Sequence, residues 1–177
     1  MKFKALVGIS VQTDLMQSDI TRLEAANANL YLSFANSYTW MEQGVVASGS
    51  FFDEILNIDM LGSDMQFSVV DLLVSNPAIF QTQAGQTQIL NAINGACARS
   101  AARGFISGGI WEGQTLSGNG LSLTPGQSIP NGYLAQSANY SSQSTADRKA
   151  RKGMPVYVAI IESGAVHSLV IGVLVQQ

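Results

Sequence analysis

The chain has 177 residues, of which 46% are apolar and only 12% are charged, whereas an ordinary soluble domain carries about 25% charged residues. Its formal net charge of −3 is unsuited to coating nucleic acid, and its single cysteine excludes an intrachain disulfide. No apolar run reaches the roughly 18 residues of a membrane-spanning helix. The length predicts one domain over residues 1–177, and the scarce charge predicts a surface covered by another protein or by further copies.

The first 50 residues predict an extended start, one helix and two strands. The stretch "FKALVGISVQ" mixes apolar and β-branched residues and is typical of a strand or an extended arm. Ser18 predicts a helix N-terminus, because apolar residues follow it at helical spacing. The segment "NANLYLSFANSYTWMEQGVVASG" favours two strands. Their aromatic side chains are expected in the core: Tyr31, Phe34, Tyr38 and Trp40.

The middle of the chain is predicted to be helical. Residues 51–75 repeat apolar side chains at helical spacing, which predicts two helices or one helix kinked near Gly62. Residues 85–102 carry the clearest helical pattern, with Gln86 expected on the solvent side and Gly104 expected to end the helix. The apolar stripe of this second region is formed by Ile89, Ile93, Cys97 and Ala101.

The last third of the chain predicts a long loop and a hairpin. Residues 113–139 are rich in Gly, Ser, Asn and Pro and predict a surface excursion, with short strands at "LSL" and "GYLAQ". The runs "VYVAIIE" and "AVHSLVIGVLV" flank Ser163 and Gly164, which predicts a β-hairpin inside a helix-covered sheet. The predicted fold class is therefore α+β, with a mixed β-sheet packed against two to four helices, a C-terminal β-hairpin and a long irregular surface loop.

Side chains for catalysis or metal binding are scarce, with one histidine and one cysteine. His167 and Ser168 are neighbours in a predicted strand, so their side chains point to opposite faces and do not form a base and nucleophile pair. Cys97 lies on an apolar helix stripe, which favours a buried hydrophobic role. A structural zinc site needs four Cys or His ligands, whereas this chain has two such residues in all. These residues predict a protein that is not an enzyme and has no catalytic, cofactor-binding or metal site.

Carboxylates are the alternative source of chemistry. A hydrolase acting on a glycan needs two acidic groups about 5 to 9.5 Å apart in one cleft. Glu112 and Asp53 are the candidates for such a pair. The acidic residues of this region otherwise follow a predicted helix without the spacing of a calcium loop, so a solvated helix face also explains them: Asp53, Glu54, Asp59 and Asp64.

Four of the nine basic residues lie together just before the apolar C-terminal run. We call Arg148, Lys149, Arg151 and Lys152 the basic cluster. Asp147 precedes the cluster and offsets only part of its charge. Two interpretations fit: a charged turn that keeps the loop in water, and an attachment patch for an acidic partner surface.

Two blocks carry a family likeness: "NLYLSFANSYTWMEQGVVASGSFFDEILNIDML" and "DRKARKGMPVYVAIIESGAVHSLVIGVLV". The first block contains a strand with Asn and Tyr, a turn with Glu and Gly, and a helix that starts with Phe and Asp. The second block contains Asp-Arg, a further Arg, a Pro and the sequence Gly-Ala-Val-His. The residues are Asn29, Tyr31, Glu42, Gly44, Gly49, Phe51, Asp53, Asp147, Arg148, Arg151, Pro155, Gly164, Ala165, Val166 and His167. Together they resemble the C-terminal domain of tail sheath proteins of contractile-tailed bacteriophages. Because sheath proteins are usually longer, the resemblance implies the C-terminal part of a longer protein.

The resemblance implies a structural virion protein of the phage tail. Sheath subunits form a helical homo-oligomer around the tail tube and contract during DNA delivery, so the implied partners are further copies, the tail tube protein and baseplate proteins. It implies no cofactor, no direct contact with nucleic acid and no membrane insertion. The implied location is the virion tail, after assembly in the host bacterial cytoplasm. A tube or baseplate subunit is the alternative, which the predicted helix at 85–102 disfavours.

The resemblance also assigns roles to three segments of this chain. The basic cluster is expected to face the tail tube. Residues 1–17 and 166–177 are expected to be arms that add strands to the sheets of neighbouring copies. The predicted inter-subunit strand uses Val166, Ser168, Val170, Gly172 and Leu174.

Overall fold

The computed structural model describes residues 2–34, 37–118 and 120–170, and the chain forms two compact units. The first unit comprises Met1–Ile58 and Gly164–Gln177, and the second unit comprises Asp59–Ser163. Among the described helices, none is both long enough and apolar enough to cross a membrane.

The described residues contain four α-helices, a single 3-10 turn and eight short strands. The helices are α1 (Gln17–Ala25), α2 (Phe52–Ser75), α3 (Gln83–Ala102) and α4 (Thr145–Lys149), and the 3-10 turn is Tyr140–Ser142. The strands are β1 (Tyr31–Phe34), β2 (Tyr38–Met41), β3 (Gly109–Ile110), β4 (Leu116–Gly118), β5 (Leu121–Leu123), β6 (Ser128–Ile129), β7 (Tyr133–Ser137) and β8 (Val156–Ile160). The α+β class is confirmed.

The strands form four two-stranded sheets, β1–β2, β3–β6, β4–β5 and β7–β8, and each of them is antiparallel. The mixed sheet of the prediction is therefore corrected to small antiparallel sheets within the described residues. The short connections of β1–β2 and β4–β5 exclude a parallel arrangement of these two pairs, because a parallel pair needs a crossover of a dozen or more residues.

The first unit contains the two strands that its sequence predicted, and they pair as the β1–β2 hairpin. Leu32 lies opposite Trp40 in this pair, and the Trp40 ring stacks on Phe34 with 4.3 Å between ring centroids. Tyr38 is 65% exposed, so its predicted burial is wrong. The reason is its position in the last pair before the hairpin turn, where the sheet offers little cover.

The core of the second unit lies between α2, α3 and the β7–β8 sheet. Its buried members are Leu61, Ile93, Cys97, Phe105 and Ile106. Partly buried side chains of the sheet pack against them: Tyr133, Ala135, Val156, Val158 and Ile160. Ala159 points the other way and packs in a second cluster with Leu123 and Ile129. Because successive strand residues face opposite sides, β8 is apolar on both faces, as its sequence predicted.

The two central helices occur where the sequence predicted them. Residues 52–75 form one continuous helix. α3 ends at Ala102, and Gly104, two residues later, has a φ of 86°, the left-handed conformation typical just after a helix end. The predicted solvent position of Gln86 is wrong, because its side chain is fully buried. Ile79 and Phe80 lie against the first turn of α3 beside Gly85. These two residues shield this end of the helix, and with it Gln86, from water.

The predicted C-terminal hairpin is corrected for the described residues. β8 pairs with β7, with Tyr133 opposite Ile160 and Ser137 opposite Val156, and residues 164–170 form no strand. The physical reason is that "GYLAQ" supplies the pairing partner that the hairpin assigned to the C-terminal run. Gly132 makes this possible, because a Cβ there would lie 2.3 Å from the Ser107 carbonyl oxygen.

Residues 113–139 are more ordered than a surface excursion. They contain β4, β5, β6 and β7, which include both predicted short strands. Two of their residues are core members, since Leu123 is fully buried and Ile129 is 4% exposed. The glycines and serines of this region therefore join short strands that cover the second unit.

Candidate interaction surfaces

The basic cluster lies on α4 and on the turn that follows it. Ser144 caps this helix, because its Oγ accepts a hydrogen bond from the Asp147 backbone N–H at 3.1 Å and donates one to Asp147 Oδ2 at 2.7 Å. This helix was not predicted, although a Ser residue three positions before an acidic residue is a helix-start signal in the sequence.

The four cationic side chains are all exposed, and two of them are bound locally. Arg148 donates a hydrogen bond to the Tyr140 carbonyl oxygen. Lys152 Nζ lies 2.8 Å from Asp147 Oδ1. Their hydrogen bond lowers the pKa of Asp147 and raises the pKa of Lys152. The ion pair therefore favours the charged forms of both Asp147 and Lys152 and holds the two side chains together.

Lys149 and Arg151 are the cluster members that remain available to a partner. Neither side chain makes a hydrogen bond or an ion pair with any residue that the structure describes. The turn that carries them is fixed, since the Lys152 carbonyl oxygen accepts hydrogen bonds from Gln143 Nε2 at 2.8 Å and from Gln81 Nε2 at 2.7 Å. The unpaired positive charge of the cluster therefore has a defined place on the second unit.

The predicted inter-subunit strand is only partly described. Val166, Ser168 and Val170 lie in an irregular segment and are exposed, with exposed fractions of 76% for Val166 and 94% for Val170. Gly172 and Leu174 lie outside the described residues. The two valines leave most of their area in contact with water, and their pairing role stays a prediction.

The second unit offers an apolar groove that suits such a segment. The groove has a volume of about 580 Å³ and lies between α2 and β8. It is lined by Gly62, Met65, Gln66, Val69, Val70, Ile93, Val156 and Val158. Within the described residues β8 has a strand neighbour, β7, on one edge only. An apolar groove beside a half-paired strand is the usual setting for strand addition.

The N-terminal segment is also largely uncovered. Phe3 donates a backbone hydrogen bond to the Met41 carbonyl oxygen at 3.1 Å, and Met41 donates one to the Lys4 carbonyl oxygen at 3.0 Å. These two bonds attach the start of the chain to β2. The side chain of Val7 beyond them is fully exposed, and that of Ile9 is 56% exposed. The role of residues 1–17 as an arm remains a prediction.

The outer side of α2 in the second unit is an apolar surface that was not predicted. Its side chains Met60, Phe67, Val70 and Val74 are exposed, and we call this row the α2 stripe. The signal was present in the sequence, because α2 is apolar on more than one side, whereas one apolar stripe is enough to anchor a helix to its own core.

The side chains considered for catalysis are described by their place in each unit. Asp53 belongs to the first unit and Glu112 to the second. The ring of His167 meets the ring of Phe51 edge-on at 4.7 Å between centroids, which agrees with a structural role. Cys97 is fully buried, and burial raises the pKa of its thiol. Within the described residues, no group of three His, Cys, Asp or Glu side chains is placed to hold a metal ion.

Comparison with known protein families identifies a match over most of the chain. A family described as "E217 tail sheath protein gp31-like, C-terminal domain" matches residues 52–175 of this chain. No curated protein matches the sequence. The matched range contains the basic cluster, the α2 stripe and the groove, and it begins at the first residue of α2.

Proposed function

The chain belongs to the E217 gp31-like tail sheath C-terminal domain family, and from this premise we propose that it is a self-assembling subunit of a contractile phage tail sheath. In this proposal the copies form a helix around the tail tube and contract during DNA delivery. The family match over residues 52–175 is the observation that carries the proposal. It makes the protein a structural component of the phage tail, located in the virion. Assembly in the host bacterial cytoplasm is part of the proposal.

Strand addition is the proposed link between copies. The exposed segment that begins at Val166 leaves its own chain and enters the groove between α2 and β8 of a neighbour. Alternate residues of an extended segment share one face, so Val166 and Val170 turn toward the groove together. Main-chain hydrogen bonds to β8 then hold the link, while the rest of the segment stays pliable enough to follow a moving neighbour. Residues 1–17 are proposed as a second arm.

The basic cluster is proposed to face the tail tube. Lys149 and Arg151 supply positive charge that no described residue of the chain neutralises. An acidic tube surface would complement this charge, and such a contact weakens as salt rises because exposed charges are screened. Salt-sensitive attachment allows the sheath to leave the tube when it contracts. Contact with baseplate proteins is proposed at the end of the sheath.

Reversing the charge of the whole cluster tests the tube contact. We expect replacement of Arg148, Lys149, Arg151 and Lys152 by Glu to abolish co-sedimentation of the sheath with purified tail tubes at low salt. Melting curves check that the variant remains folded. Undiminished attachment of a folded variant would remove the cluster from the tube contact, while the sheath function itself would stand on the assembly measurements.

A further inference from the structure

The α2 stripe is a regular apolar surface rather than a set of scattered residues. Met60 is 39% exposed, Phe67 68%, Val70 52% and Val74 80%. The spacings of seven, three and four residues place the four side chains along one side of the helix. Ser63 lies between Met60 and Phe67 and completes a repeat of alternating three- and four-residue steps. The opposite side of α2 packs through Leu61 on the core of the second unit. The stripe is therefore not needed to hold α2 in place.

The charges beside the stripe limit what it can bind. In the second unit α2 carries three carboxylates and no Lys or Arg. Arg103 neutralises Asp64 at 2.7 Å, whereas Asp59 and Asp71 are exposed and make no ion pair with the described residues. Pairing α2 with α2 of a second copy would gather these carboxylates in one interface. An acidic tube surface would meet the same repulsion.

The stripe and the groove are continuous, because Val70 belongs to both. We propose that the α2 stripe is a second contact surface between copies, covered by the body of the copy whose C-terminal segment occupies the groove. This inference rests on the proposed sheath function. Since the covering surface is not α2 itself, the contact joins two different faces, and such a contact repeats into a helix instead of closing a dimer.

Photo-cross-linking from two matched phenylalanine positions tests the contact. Phe67 is on the stripe, and Phe80 is in the same unit, off the stripe and 72% exposed. A photoreactive phenylalanine analogue at position 67 of the full chain is expected to link to peptides of a second copy outside its α2. The same analogue at position 80 is expected to give several-fold less product. Links from position 67 within its own chain, to a second α2 or to tube protein would each overturn the inference.

Matched substitutions give an independent measurement. Phe67→Ser is expected to raise the critical concentration for assembly at least about tenfold, because a large apolar side chain loses its cover, while Phe80→Ser leaves it within about twofold. Both variants are expected to melt like the parent chain, since each side chain is exposed. Equal critical concentrations for the two variants would refute the α2 contact.

The outcomes separate this inference from the sheath function. Sheath-like assembly with no preference for position 67 refutes the stripe contact and leaves the function standing. Cross-linked copies without tubes or rings support the stripe contact and contradict the sheath function. A chain that stays dispersed and gives no linked copies refutes both.

Discussion

Removing the two valines of the C-terminal segment is the perturbation whose effect on assembly follows most directly from the structure. Val166 and Val170 are 76% and 94% exposed, so most of their area is still in contact with water. Full burial of a valine contributes about 1.5 kcal/mol at the lower end of the usual range. Scaled by the exposed fractions, the double substitution Val166→Ser and Val170→Ser should cost each inter-copy link about 2.5 kcal/mol.

This energy corresponds to a link about 70-fold weaker. The assay is the critical concentration for assembly, measured by sedimentation of the polymer. Ile110→Ser serves as control, because Ile110 is 60% exposed, lies in β3 and does not line the groove. A double variant that assembles at the parental concentration would refute the claim that this segment is buried in a neighbour.

The remaining predictions concern charge, stability and pH. Lys149→Glu with Arg151→Glu should remove most of the tube attachment that the fourfold reversal removes, measured by co-sedimentation; full attachment would show that the two side chains without local partners do not carry the contact. Gln86→Met should raise the free energy of unfolding by about 1–3 kcal/mol in urea titrations, because neither polar atom of this fully buried amide has a hydrogen-bond partner among the described residues. A loss of stability would contradict that reason. Burial alone would raise the pKa of Glu42. Its hydrogen bonds to Lys2 and to the Trp40 indole outweigh burial, so the pKa of Glu42 is lowered. The contribution of Glu42 to stability is therefore complete above about pH 4.5 and is lost as the pH falls through the lowered pKa. Glu42→Gln should flatten this part of the profile of melting temperature against pH. An unchanged profile would contradict this role of Glu42.

The sequence predicted the elements whose signals are local. The helical spacing of Ile89, Ile93 and Cys97 predicted α3, and Gly104 predicted its end, because both signals act within a few residues. The apolar run of β8 predicted a strand with core side chains on both faces; this is confirmed for Val156, Val158 and Ile160 on one face and for Ala159 on the other, while Tyr157 is 38% exposed.

Pairing and exposure depended on distant parts of the chain. β8 has the composition to pair with either neighbour, and the turn at Gly132 brings β7 to it, which no local pattern specifies. Gln86 looked solvent-facing because helical spacing says nothing about the loop at Phe80 that covers the end of α3. The basic cluster was readable as a charge pattern, whereas the division between locally bound and available side chains needed three-dimensional contacts.

Electron microscopy of the purified full-length protein over a range of salt concentrations tests the central claim most directly. The sheath account predicts tubes or stacked rings with helical symmetry, in which copies repeat through contacts between different faces. Dispersed single copies at every salt concentration, or closed dimers, would contradict it.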